Sequence, residues 1–526
     1  MLKYLLIIMC IVFKYVSLEK IEDQNHWKQL GYQDIEEALI PKVNMGIAKN
    51  VILFVGDGMG PTTVTASRIY GKTEKGFLSF ETFSNIGVLK TYSANKLVPD
   101  SCSTATALFC GVKANHKTAG VDATVPFEDC EASLKSEARL KSIFNWAQEA
   151  GKGTGFVTTT RVTHATPSAL YAHVPNRKWE CEATRHANAT RCKDIARQLI
   201  EDVPGKNIQV IMGGGRQCLI SNVNGTNADP IDTWACYSKD GRNLIKDWKL
   251  DKVKRGSTYA IVKNTHELEN VNLNTEFVLG VFANGHLKME HARDKGPKGM
   301  PSLTKMTEQA IKLLKKNKDG FVLVVEGGMI DFAHHRGHAR QALGETVEFS
   351  NAIQKTIQMT EKEASETLII VTSDHSHSLV LSGYAERSTS ILDIAQKSKL
   401  DGTEYTSLLY GTGGPDNYQF DVINNKVVRR NPALDDATSF EYAQQSAVLT
   451  DEVTHGGTDV LVYATGPMSH LFHSVHEQTY VAYVISYAAK IGPFKDMRNS
   501  SNIILSQPIS IVASICLVIV LFSLLN

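Results

Sequence analysis

The sequence predicts an α/β fold: a largely parallel central sheet with helices on both faces, carrying a loop-rich inserted subdomain. Short β-branched runs recur along the chain, each stopped at once by glycine, acidic or polar residues. Amphipathic helical patterns fill the intervals between those runs. Strands and helices that alternate in this way build parallel sheets buried on both faces. One stretch, 385–443, breaks the rhythm with Ser, Thr, Asn, Asp and Gly, and reads as the insertion.

Taken in order, the run at 51–55 leads into Gly56-Asp57-Gly58, and the run at 155–159 leads into Thr160-Arg161. The run at 208–212 meets three glycines, and the run at 321–325 meets Glu326-Gly327-Gly328. The run at 368–372 leads into Ser373-Asp374-His375, and the run at 460–464 into Thr465-Gly466-Pro467. Segments 140–150, 302–316 and 340–360 carry the helical period. Residues 24–47 form a polar amphipathic arm ahead of the first strand. In parallel sheets ligands gather beyond the carboxyl ends of the strands. The chemistry-bearing residues here sit at those ends, so one site is expected from distant segments.

At 526 residues, 43% hydrophobic and 21% charged, the chain can bury a large core. A net charge of +1 without basic runs gives no electrostatic footprint for nucleic acid. Lys3, an apolar stretch at 5–13 and the small Ser17 read as a secretory signal peptide over 1–17. The main domain then spans 18–499. Residues 509–525 are nearly all apolar and span ~26 Å as a helix, with no Lys or Arg beyond them. Small residues at Asn499, Ser500, Ser501 and Asn502 precede that tail. The pattern matches a GPI-attachment propeptide over 500–526, with the anchor on Asn499 or, second, Ser500. The expected location is the extracellular face of the plasma membrane. Sequons at Asn188, Asn224 and Asn499 fit that route. Setting aside Cys10 and Cys516 leaves seven of the nine cysteines, an odd number, in an oxidising compartment.

Candidate ligands cluster at the strand ends. Asp57 sits between glycines that allow close approach. Asp331 and His335 are four apart and share a helix face, so one ion can bind both. Asp374-His375 forms a second acid–imidazole pair, Glu326 another carboxylate, and His455 another imidazole. Singly, each reads as a turn former or surface histidine. Together at successive strand ends they point to metals: nitrogen-and-oxygen sites suited to zinc and an oxygen site suited to magnesium. Asp100-Ser101 opens a run of small residues, which places a serine oxygen near helix N–H groups. By itself that is an ordinary cap pair; beside a metal the serine becomes a nucleophile.

The chain resembles the alkaline phosphatase family through Gly56-Asp57-Gly58-Met59-Gly60, Pro99-Asp100-Ser101, Thr160-Arg161 and His164-Ala165-Thr166-Pro167. The likeness continues with Tyr171-Ala172-His173, Asn176-Arg177, Glu326-Gly327-Gly328, Asp331 with His334-His335, Asp374-His375-Ser376-His377 and Thr454-His455-Gly456-Gly457. It implies two zinc ions and one magnesium ion. The first zinc would take Asp331, His335 and His455. The second would take Asp57, Asp374 and His375 beside Ser101, and magnesium would take Asp57, Thr166 and Glu326. Arg177 would clamp phosphate, His164 would stand beside the magnesium site, and phosphate monoesters would be cleaved through a phosphoserine on Ser101. The resemblance also implies a homodimer and a Cys130–Cys192 disulfide. Cys218 with Cys236 is the expected second pair, with Cys102, Cys110 and Cys181 unassigned. Phe282-Ala283-Asn284 and Met300 depart from the acidic residues of the animal members' calcium site. A sulfatase would need a Cys/Ser-x-Pro-x-Arg context, which Ser101-Cys102-Ser103-Thr104-Ala105 lacks. Phosphodiesterases of the superfamily use threonine and lack the arginine.

Overall fold

The computed structural model describes residues 24–40 and 43–497. The signal segment, the Asn499 sequon and the attachment propeptide lie outside those residues. Residues up to Val43 form one unit, containing the helix Gln24–Ala38, and the chain from Asn44 onward forms a second.

Ten strands of the second unit make one sheet: β1 (Asn50–Gly56), β2 (Asn85–Lys90), β3 (Gly153–Arg161), β4 (Val210–Gly214), β5 (Tyr259–Val262), β6 (Phe277–Val281), β7 (Phe321–Gly327), β8 (Thr367–Ser373), β9 (Val460–Thr465) and β10 (Val475–Glu477). Their order is β10-β2-β9-β8-β1-β7-β3-β4-β6-β5. From β8 to β5 every pairing is parallel, and β9 runs antiparallel to both β8 and β2. Every residue of β1, β7 and β8 is buried, as expected for strands covered on both faces. Along β1 the side chains alternate between two cores. Val51, Leu53 and Val55 pack with Leu108, Phe144 and Ile485 on one side. Ile52 and Phe54 pack with Met306, Ala310, Phe349 and Ile353 on the other.

The helices follow the sequence closely. The 140–150 pattern becomes Ile143–Glu149, 302–316 becomes Leu303–Leu314, and 340–360 becomes Ala339–Thr360. Ser302 caps the second of these by accepting from the Lys305 N–H. The 385–443 stretch holds two hairpins, Ile394–Lys397 with Glu404–Thr406 and Phe420–Ile423 with Lys426–Arg429. No helix of the described residues is long and apolar enough to cross a membrane.

The cysteine expectation is half right. Cys130 and Cys192 are bridged, with Cα atoms 5.9 Å apart. The second bridge joins Cys181 to Cys236, not Cys218 to Cys236. Cys218 is a buried thiol on the short helix Arg216–Leu219. Its sulfur faces the Glu180 carboxylate and lies 3.3 Å from the Cys236 carbonyl oxygen. The loop carrying Cys181 comes within bridging range of Cys236, with Cα atoms 5.8 Å apart. The fold brings Cys181, not Cys218, to Cys236. Asn188 and Asn224 are both exposed.

Candidate metal centre

Three groups of ligating atoms converge where β1, β7 and β8 end. Within each group the atoms lie within 4.8 Å of one another: Asp331, His335, His377 and His455; Asp57, Asp374 and His375; and Asp57, His164 and Glu326. Asp57 follows β1 directly, Glu326 lies in β7, and Asp374 follows β8. Asp331 and His335 share the short helix Met329–His335, with His335 Nε2 3.3 Å from Asp331 Oδ2.

The turn after β1 makes the crowding possible. Gly58 has φ of +69° and its N–H donates to Asp374 Oδ1 at 3.0 Å. A Cβ there would sit 2.7 Å from His377 Cδ2 and 3.0 Å from Asp331 Oδ1.

Ser101 is fully buried as the first residue of the helix Ser101–Cys110. Asp100 caps that helix by accepting from the Cys102 and Ser103 N–H groups. Ser101 Oγ lies 3.2 Å from His375 Nε2 and 3.5 Å from Asp57 Oδ1. Arg177 Nη1 donates to Asp100 Oδ2 at 3.1 Å, which ties the guanidinium to the serine's own helix. Thr166 Oγ1 donates to Asp57 Oδ2 at 3.4 Å. Thr158 and Thr160 both donate to Glu326 Oε2.

The electrostatics without cations are those of an overcrowded acidic cavity. Burial raises Asp57 well above its ordinary value, and Asp331, Asp374 and Glu326 push it further. Burial and Asp331 lift Asp374 to about 7, and burial lifts Glu326. Burial would raise Asp331 too, but His335 and His377 outweigh it and hold that carboxyl well below the usual range. Burial would lower His335, yet Asp331 lifts it to about 9.

These residues fit cations. Glu326 Oε1 is buried and has no hydrogen-bond partner among the described residues. His335 Nε2 and His455 Nε2 point at each other across 3.0 Å, as ligands of a shared ion do. Their Nδ1 atoms are held by the carbonyls of Val453 and Pro99, both at 2.8 Å, which is the outer bracing expected of metal-bound histidines.

Every ligand expected from the sequence is thus brought into one cavity. Sequence reasoning quoted His377 in a motif but gave it no role. The structure puts its Nε2 2.5 Å from Asp331 Oδ1, inside the first group. The signal was the two-residue spacing from His375, together with a short strand on which His377 pairs opposite His455.

Known proteins with similar sequences agree with this geometry. The alkaline phosphatase family profile matches residues 48–491. The tissue-nonspecific alkaline phosphatase of Felis catus is 42% identical over 496 residues, covering 92% of each chain. An alkaline phosphatase of Gadus morhua is 40% identical, covering 90% of this chain and 98% of its own. Alkaline phosphatase 4 of Drosophila melanogaster is 38% identical over 508 residues, covering 91% of this chain and 84% of its own. The solved structure of the Antarctic bacterium TAB5 alkaline phosphatase shares the fold, with a TM-score of 0.58 at 24% identity, over 84% of this chain and 99% of that one. The chain therefore belongs to the alkaline phosphatase family.

Proposed function

We propose that this phosphoric monoester hydrolase works through a phosphoserine on Ser101, with two zinc ions and one magnesium ion in the three ligand groups. The buried Ser101 oxygen carries the reading: it lies beside His375 and Asp57, on a helix whose cap also holds Arg177. Zinc would be held by Asp331, His335 and His455 in one group and by Asp57, Asp374 and His375 in another. Magnesium would be held by Asp57, Thr166 and Glu326. Bound there, the cations supply Lewis acidity and offset the carboxylate repulsion. Arg177 binds phosphoryl oxygens with its planar fork. Ser101 Oγ bonds to phosphorus as the ester P–O bond breaks and the alcohol departs with a proton. Water then adds to phosphorus, the Ser101 P–O bond breaks, and inorganic phosphate leaves with the serine hydroxyl restored. His377 and the backbone carbonyls behind His335 and His455 hold the ligand shell in place.

Transfer of the phosphoryl group to another acceptor tests this. Hydrolysis in concentrated Tris should yield phosphorylated Tris, and Ser101→Ala should lose that product and most of the rate. Net inversion at a chiral phosphorus, with no Tris product, would mean that water attacks directly.

The enzyme is placed on the outer face of the plasma membrane by a GPI anchor at Asn499, supported by the apolar C-terminal tail and the small residues before it. Phosphatidylinositol-specific phospholipase C should release activity from intact cells. Retention of the 509–525 tail in the mature protein would refute it. The working form is a homodimer, supported by the family likeness, and sedimentation of the released enzyme checks it.

A further inference from the structure

Behind His164 lies a charge cluster that the reaction as described does not use. Arg161, the last residue of β3, has a side chain only 6% exposed. Its Nε lies 2.9 Å from Glu180 Oε2 and its Nη2 lies 2.7 Å from Glu180 Oε1. Its Nη1 donates to Asp232 Oδ2 at 2.9 Å and to His286 Nε2 at 2.6 Å. Thr163 also donates to Glu180, so the two residues flanking Val162, just ahead of His164, are pinned to one carboxylate. Asp232 approaches closely because residue 285 is glycine: a Cβ there would sit 2.4 Å from the Asp232 Cβ.

Arginine only donates, so His286 accepts on Nε2 and carries its hydrogen on Nδ1. The His286 ring packs edge-on against His164, with centroids 5.0 Å apart, and against Phe332 at 5.2 Å. On its other side, His164 Nε2 accepts from Arg177 Nη2 at 3.3 Å. One chain of contacts thus runs from Glu180 through Arg161, His286 and His164 to Arg177 and on to Asp100. A buried cluster of this kind adds little net stability. Its effect is expected on where the next residues sit.

We propose that His286 is a positioning residue for phosphate binding, carrying the fixed position of Arg161 through the His164 ring to the Arg177 guanidinium. The inference rests on the reading that Arg177 binds phosphate.

The test uses the metal-loaded enzyme and inorganic phosphate as a competitive inhibitor of p-nitrophenyl phosphate hydrolysis. His286→Phe keeps a ring against Phe332 and His164 but removes the acceptor for Arg161. It should raise Ki for phosphate and KM about tenfold while kcat stays within about threefold. His286→Gln, whose amide oxygen can accept from Arg161, should keep Ki within about threefold of wild type. In an Arg177→Ala background, His286→Phe should have no further effect on Ki, the coupling expected of one shared path. An unchanged Ki in His286→Phe, equal losses in the Phe and Gln variants, or full additivity with Arg177→Ala overturns the proposal. Arg177→Ala with wild-type phosphate affinity overturns the underlying reading instead, and the proposal with it. Should His286→Phe not fold, Glu180→Ala removes the acceptor that fixes Arg161 and should raise Ki about threefold. An unchanged Ki there also refutes the idea.

Discussion

Replacing Gly58 with alanine puts one methyl group where the ligand shell has no room for it. The backbone there has φ of +69°, which costs an L-residue about 1–2 kcal/mol. The new Cβ would lie 2.7 Å from His377 Cδ2, 3.0 Å from Asp331 Oδ1 and 3.1 Å from Asp331 Cα. Neither neighbour is a loose chain end. The His377 ring is wedged between the Asp331 carboxylate at Nε2 and the Thr454 carbonyl at Nδ1, one of which takes its single N–H, and a Cα moves only with its helix. Overpacking of this kind adds about 1–3 kcal/mol, so the total is about 2–5 kcal/mol. The strain falls on the first ligand group, because Asp331 and His377 both belong to it. Gly58→Ala should therefore lose bound metal as well as thermal stability. Elemental analysis after dialysis and a melting curve on the same sample measure both. Gly344→Ala is the control. Gly344 lies inside the helix Ala339–Thr360 with open space at its Cβ. That variant should gain about 1 kcal/mol and keep its metals. Wild-type metal content and melting temperature in Gly58→Ala would refute the close-approach reasoning.

Other expectations can be checked separately. In metal-free protein, Asp331 lifts His335 to about 9 from an ordinary 6.5, even though burial opposes it. A raised folded-state value gives stability that is complete below the ordinary value and lost as pH rises through the folded one. Chelated enzyme should thus lose about 2 kcal/mol more than metal-loaded enzyme between about pH 7 and 9. Parallel melting curves across that range would contradict it. Non-reducing peptide mapping should recover the 130–192 and 181–236 bridges, with Cys102, Cys110 and Cys218 alkylated only after denaturation. A recovered 218–236 peptide would reverse that assignment. Chelation should abolish activity and lower the melting temperature, and zinc with magnesium should restore both. Full activity in zinc-free protein would exclude the metal reading.

The central strands were legible because a parallel strand buried on both faces carries an unbroken apolar run, as 51–55 in β1, 321–325 in β7 and 368–371 in β8 do. The edge strands were not. Asn85–Lys90 alternates buried and exposed positions, and Val475–Glu477 is too short and polar to stand out. Strand order was also hidden, since Val51 finds its neighbours at Val322 and Leu368 only through tertiary packing. The candidate metal ligands were legible because carboxylates and imidazoles at strand ends carry their chemistry in their residue type. Arg161, Glu180 and His286 were not, because no local pattern joins a strand end and two separate loops into one contact path. Cys181 shows the same limit from the other side: its partner depended on a loop crossing that the sequence does not announce.

The sheet order also dictates when the enzyme can first exist. β1 emerges early in synthesis, yet its two neighbours are β7 and β8, and β9 must still arrive to join β2 to β8. Loops of that length close slowly, and long-range parallel pairing delays folding. The last candidate ligand, His455, is added to the chain only just before β9. A nascent chain released just short of that point would have β7 and β8 beside β1 but no β9 to pair with β8, and would lack His455. The proposed metal centre therefore cannot be complete until the last strands of the sheet are being made.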